Sequence, residues 1–160
     1  MTTPARQFHL DLGPQSHIEL LHANTYSNVG VCISRCPPGE KWKDSVLTKS
    51  KAIEEAGSLA HEINCFVGQQ PFKPFKRRSI ENVVFLNSAY VDLDTYNTPY
   101  AGITFNDLYA AIQQMYSKLP APTLGGSSGR GVQLIWTFEV GKPLNGGSWL
   151  GDWHRVQHAL

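Results

Sequence analysis

No run of about 18 apolar residues occurs in this 160-residue chain, which therefore offers no helical membrane span. Its N-terminus, Met1 to Leu12, lacks the charged-then-apolar order of a secretory signal. Both absences predict a cytoplasmic protein without a membrane partner. Cysteine is scarce, and Cys32, Cys36 and Cys65 are an odd count at spacings that fit neither a disulfide framework nor a paired zinc knuckle. Reduced thiols are expected. Excess charge of one sign is also missing: a net charge of +1 excludes coating nucleic acid by bulk electrostatics, which needs many cations to neutralise phosphates. Any nucleic-acid contact must be local.

What is present is enough apolar material, 41% of the residues, for one domain with a core, and the length suggests no second. Proline and glycine divide the chain into short elements that alternate between strand-like and helix-like patterns, which predicts an α/β or α+β domain. Val29 to Ser34 reads as a strand closed by the turn Cys36-Pro37-Pro38-Gly39. Ser45 to Asn64 carries helix formers, Cys65 to Gly68 fits a short strand, and Ser79 is placed to cap a short helix to about Asn87. Thr104 to Leu119 is the clearest helix. Phe105, Leu108, Tyr109, Ile112, Met115, Tyr116 and Leu119 recur at helical spacing, as a core stripe, behind a cap from Thr104 and Asp107. Trp149, Trp153, Val156 and Leu160 fall on one face of a last helix, and the sequence reads as cut in or just after it.

Tyr90-Val91-Asp92-Leu93-Asp94 alternates in the manner of a strand with two faces, before the turn-like Thr95 to Pro99. Asp92 and Asp94 then share a face, roughly 7 Å apart in backbone terms. Two such anions repel unless a cation neutralises them, and their hard oxygens suit Mg²⁺ or Mn²⁺. An exposed edge strand bearing two surface aspartates explains the triplet equally well.

Gly125-Gly126-Ser127-Ser128-Gly129-Arg130-Gly131 offers backbone N–H groups, two hydroxyls and a guanidinium to phosphate oxygens, and leads directly into a β-rich run, Val132 to Val140. A plain hairpin turn would not require Arg130. Along that run Gln133, Ile135, Thr137 and Glu139 share a face, so Gln133 either looks towards whatever the loop binds or simply lies at the sheet edge. Upstream, Phe72-Lys73-Pro74-Phe75-Lys76-Arg77-Arg78 interleaves rings with cations in the manner of single-strand binding sites. Trp42 between Lys41 and Lys43 repeats that chemistry on a smaller scale, or anchors a loop. His154 and His158 stand one helical turn apart but read as surface residues.

The acidic strand together with Ser128-Gly129-Arg130-Gly131-Val132-Gln133-Leu134-Ile135-Trp136 resembles the first two motifs of the archaeo-eukaryotic primase superfamily, in its plasmid and mobile-element branch. The stretch from Phe66, with Phe72, Arg77, Arg78, Asn82 and Leu86, is also similar, so the likeness spans roughly Phe66 to Trp153. The resemblance implies one α+β primase-polymerase-like domain over 1–160, with an RRM-like antiparallel or mixed sheet flanked by helices. Its motif-bearing core covers 65–153, and 1–45 is a part of uncertain role. Asp92 and Asp94 become catalytic metal ligands for Mg²⁺ or Mn²⁺. Ser127, Ser128, Gly129, Arg130, Gly131 and Gln133 become nucleoside-triphosphate binders, although many family members carry His at the Gln133 position. Phe72, Lys73, Phe75, Lys76, Arg77 and Arg78 are expected on a single-stranded DNA template. Further domains, a helicase or other replication proteins are the expected partners. The family's third acidic residue, and the Arg-Leu-Pro-Gly-like motif near it, have no counterpart in the sequence, as in a truncated chain. Glu139 and Asp152 do not match the pattern.

Two other functions compete. A metal-dependent nuclease or rolling-circle initiator wants a His-x-His pair, which is missing, and a nucleophilic tyrosine, for which Tyr109 and Tyr116 are poor candidates. A non-catalytic single-stranded nucleic-acid-binding module would make the basic loop the functional part.

Overall fold

Pro14 opens the first helix, α1 (Pro14–Leu21), at a position where its missing N–H costs no hydrogen bond. One face of α1 buries Ile18 and Leu21. The computed structural model describes residues 12–59, 64–115, 119–127, 131–144 and 149–159. It is α+β, with two three-stranded sheets and four helices among those residues. None of these helices is long and apolar enough to cross a membrane.

The first sheet has the order β2-β1-β3, with β1 (Gly30–Arg35) central between β2 (Lys43–Thr48) and β3 (Cys65–Val67), both antiparallel to it. The proline-rich turn falls where expected, with Gly39 in the left-handed region at φ +79°. The helix expected from Ser45 starts later: the chain stays extended to Thr48, and α2 covers Lys49–Ser58. Val46 and Leu47 pair with Cys32 and Val31 on β1, and cross-strand pairing of β-branched and aliphatic residues overrides the helix propensity around them. Residues 60–63 lie outside the described residues. Ala52 and Ala56 are buried on α2, small enough to let it lie close on the sheet. Ile18, Val31, Ile33 and Leu59 join them in one cluster, and full burial of each large aliphatic side chain contributes about 1.5–3 kcal/mol.

The helix expected from Ser79 is also shorter than its sequence suggests. Only a 3₁₀ turn forms, Ile80–Asn82. The Ser79 hydroxyl accepts from Asn82 Nδ2 at 3.0 Å and makes no hydrogen bond to a helical N–H. Strand β4 (Phe85–Asp94) then runs on. Next come α3 (Phe105–Met115), β5 (Leu124–Ser127), β6 (Gly131–Pro143) and α4 (Trp149–Ala159). The second sheet has the order β4-β6-β5.

Contacts gather in two compact units where length alone suggests one. One comprises Leu12–Ala89 with Thr137–Ala159, the other the interval Tyr90–Trp136. The first half of β4 lies in the former and is buried from Phe85 to Ala89. Polar groups hold it there. Gln70 brackets the strand, accepting from the Asn87 N–H at 2.6 Å and donating to the Ser88 carbonyl at 3.0 Å. That carbonyl also accepts from Trp153 Nε1 of α4 at 2.9 Å, while Asn87 Nδ2 donates to the Leu21 carbonyl at 2.5 Å. An unmade hydrogen bond at such depth costs about 1–3 kcal/mol, so these side chains fix the strand's position along its axis.

His22 closes α1 in the same interior and is fully buried. Its Nε2 lies 2.9 Å from the Gly68 carbonyl and therefore carries the hydrogen, which leaves Nδ1 unprotonated and, among the described residues, without a hydrogen-bond partner. Burial pushes its pKa down from 6.5 to about 4. The unfolded chain takes up a proton near the upper value and the native one only near the lower, so folding stability must fall as pH drops between them. The loss is on the order of 3 kcal/mol by pH 4. Denaturant unfolding at a series of pH values should show it as a steeper slope than in the His22→Gln variant, which keeps the contribution of the half-buried His17; parallel profiles for the two proteins would refute the assignment.

Candidate functional site

Within the 90–136 unit, Val91 packs with Val132 and Leu134 of β6 and with Leu108, Tyr109 and Ile112 of α3. The helix is placed by its cap: Thr104 Oγ1 accepts from the Asp107 N–H at 3.1 Å and donates to Asp107 Oδ2 at 2.6 Å. Trp136 joins the cluster and donates through Nε1 to the Pro120 carbonyl at 2.7 Å. One face of this sheet is therefore covered by the aliphatic and aromatic stripe of α3.

Strand alternation puts the neighbours of those residues on the other face. Asp92 and Asp94 flank Leu93 there and are exposed, while Val91 and Leu93 are half-buried. Gln133, between Val132 and Leu134, lies on the same face as the carboxylates and is half-buried. Its partner on β5 is Gly126, in an antiparallel register that runs from Leu124↔Ile135 to Ser127↔Val132. Among the described residues a Cβ at Gly126 would meet nothing within 4 Å, so there is room for a small group beside Gln133. Gly126 belongs to the glycine-rich stretch read from the sequence as a turn, but it is part of strand β5. Its signal was the apolar Leu124, which begins a strand where the glycines suggest only a turn.

Gly131 closes the arrangement. A Cβ there would overlap the Leu93 carbonyl and come within 3.0 Å of the Asp94 Cα, so the first residue of β6 lies against the backbone of the acidic strand. The glycine-rich segment and the carboxylates thereby meet at one end of one sheet. The first half of the expected turn is strand β5, with the Ser127 backbone paired to Val132. Ser128, Gly129 and Arg130 lie outside the described residues.

Among the described residues no group of three or more His, Cys, Asp and Glu is placed to hold a metal. Asp92 and Asp94 are two exposed carboxylates at alternate positions of β4 that could hold a cation. Such a donor set matches Mg²⁺, which keeps waters and binds through one or two carboxylates plus substrate phosphates.

The basic loop belongs to the other unit. Lys73, Phe75, Lys76, Arg77 and Arg78 are exposed. Phe75 is in the left-handed region at φ +57°, with Lys51 Nζ 5.9 Å from its ring centroid. Arg78 lies 3.8 Å from Asp44. Phe72 corrects the expectation for this loop. It is only 6% exposed, exchanges backbone hydrogen bonds with Gly30 and packs on Cys32 and Val46, so its ring has no face to offer a base. An apolar residue inside a cationic stretch reads as an interface until its backbone pairing is known. His154 and His158 are exposed, as expected.

The close approach at Gly131 has a measurable consequence. Gly131→Ala must push two backbones apart and should cost about 1–3 kcal/mol, lowering the melting temperature by several degrees. Gly126→Ala, with open space around it, should be neutral or slightly stabilising. Thermal melts that rank the two variants in the opposite order would contradict the strand contact. Comparisons with protein-family models, curated proteins and solved structures find no match to this chain.

Proposed function

We propose that this chain supplies the metal- and nucleotide-binding part of a primase-polymerase domain, which performs template-directed nucleotidyl transfer in primer synthesis. The observation that carries the reading is the convergence on one sheet face of Asp92, Asp94 and Gln133, beside the glycine-flanked start of β6. A three-stranded sheet with α3 on one face and the exposed Asp92 and Asp94 on the other also supports the RRM-like architecture that the sequence motifs suggest.

In this reading Asp92 and Asp94 hold Mg²⁺ or Mn²⁺ through their carboxylate oxygens. The bound cation supplies positive charge to the triphosphate and to the attacking 3′-oxygen. The chain's own share is positioning. Both carboxylates come from one strand at alternate positions, so their separation is set by the pleat and needs no loop ordering. Gln133 presents a neutral amide whose N–H groups donate to a phosphate oxygen without adding charge. Gly126 keeps the adjacent surface clear for the nucleotide. In the transfer, the primer 3′-oxygen bonds to the α-phosphorus, the bond to the β-phosphate bridging oxygen breaks, and pyrophosphate leaves.

The competing rolling-circle reading loses one of its two tyrosines, because Tyr109 packs against Val132 and Leu134 in the core cluster. Tyr116 lies outside the described residues.

Substituting Asp92→Asn together with Asp94→Asn keeps the side-chain volumes and removes both charges. In the whole protein that carries this chain, Mn²⁺ binding should be lost. Primer synthesis on a single-stranded template should fall by more than about 100-fold, since losing even a metal ligand's outer-shell partners costs about 10- to 100-fold. Primer synthesis at the wild-type rate, with circular dichroism unchanged, would exclude catalysis by this pair.

A further inference from the structure

The β2-β1-β3 sheet has one covered face and one that is covered only in part. Val31, Ile33, Leu47 and Val67 lie in the cluster formed with α1 and α2. On the other face Cys32 and Val46 are packed by Phe72 and Val83. Two residues farther along the strands that cover ends. Phe66, Ser34 and Asp44 form one cross-strand row there, and Trp42, just ahead of β2, packs its ring against Phe66. Trp42 is 58% exposed and Phe66 50%, with ring centroids 5.5 Å apart and planes at 47°. With Ser34, Val67, Gly68 and Arg78 they line a cleft of about 500 Å³.

Half-exposed aromatic rings on a sheet face lose apolar burial, and here the surroundings indicate what would cover them. Arg78 ends a run in which Lys73, Lys76 and Arg77 are also exposed. Lys41 and Lys43 flank Trp42, the latter paired with Glu40. The one carboxylate in the row, Asp44, accepts from the Ser34 hydroxyl at 2.6 Å and lies 3.8 Å from Arg78 Nη1, so its charge is offset. Both Arg78 contacts, to Asp44 and to Ser34 Oγ, use Nη1, and a guanidinium carries further donors on Nη2 and Nε. Flat rings with cations at their edge match a ligand of flat bases joined by phosphates.

We propose that this open end of the first sheet binds single-stranded nucleic acid, with bases stacked on Trp42 and Phe66 and an adjacent phosphate held by Arg78. A duplex does not fit this chemistry, because its bases are already stacked and their faces are unavailable. The site lies in the Leu12–Ala89 part of the chain, is separate from the acidic strand, and does not rest on the catalytic reading.

The test is fluorescence anisotropy with a dye-labelled oligothymidylate of about 20 nucleotides, in EDTA and about 50 mM salt, so that no metal site contributes. Wild-type protein should bind it. Trp42→Ala and Phe66→Ala should each weaken binding about tenfold or more, since stacking on one ring is worth about 1–3 kcal/mol per base. Arg78→Gln should flatten the dependence of log Kd on log salt by about one phosphate's worth. Thermal melts of the two ring variants should stay near wild type, because both rings are already half in water. An abasic oligomer of equal length should bind wild type and Trp42→Ala alike, which isolates stacking from charge. Unchanged affinity of both ring variants for oligothymidylate, or equally tight binding of a duplex, would overturn the proposal.

Discussion

The backbone of β4 at Leu93 and Asp94 and the first residue of β6 lie so close that only a glycine fits between them. The candidate site on the acidic strand depends on that contact. It brings the start of β6 to the end of a strand whose exposed face carries two carboxylates. Any side chain at residue 131 would separate them by the width of a methyl group. The covered face of the same sheet, with α3 packed on Val91, Val132 and Leu134, fixes which residues face outward. Alternation along the strands then does the rest, and Asp92, Asp94 and Gln133 share a face as a matter of pleat geometry.

The other unit is organised by a different constraint, the need to satisfy polar groups in a closed interior. Gln70, Asn87, Ser88 and Trp153 tie the buried half of β4 to a loop and to α4 through main-chain hydrogen bonds. Buried amides and carbonyls have no water to fall back on, so such links specify position more than they add net stability. The arrangement has limits: among the described residues His22 Nδ1, Asn87 Oδ1 and Ser88 Oγ are buried without a hydrogen-bond partner.

Several features were legible in the residues. The Thr104 and Asp107 cap and the stripe after it identify α3, because a helix start and its core-facing side are local properties. The alternation around Asp92 identifies a two-faced strand for the same reason. Where the sequence misled, a distant partner had overridden a local preference. Ser45 to Thr48 sits among helix formers but pairs with β1, and Phe72 sits among cations but bonds to Gly30. Trp42 reads as a loop anchor because nothing local shows that its ring packs against Phe66.

The sequence by itself determined the alphabet of the candidate sites: two carboxylates two residues apart, a glycine-rich segment entering a strand, a cationic stretch and half-polar helices. Spacing along a strand or helix is set by bond geometry, and it needs no knowledge of the remaining chain. Only the tertiary structure decided which of these lie side by side. The meeting of Gly131 with Leu93, the open surface over Gly126, the burial of Phe72 and the pairing of Trp42 with Phe66 all join residues from different elements. Such contacts arise from the packing of the whole chain, where the burial of one surface leaves another exposed.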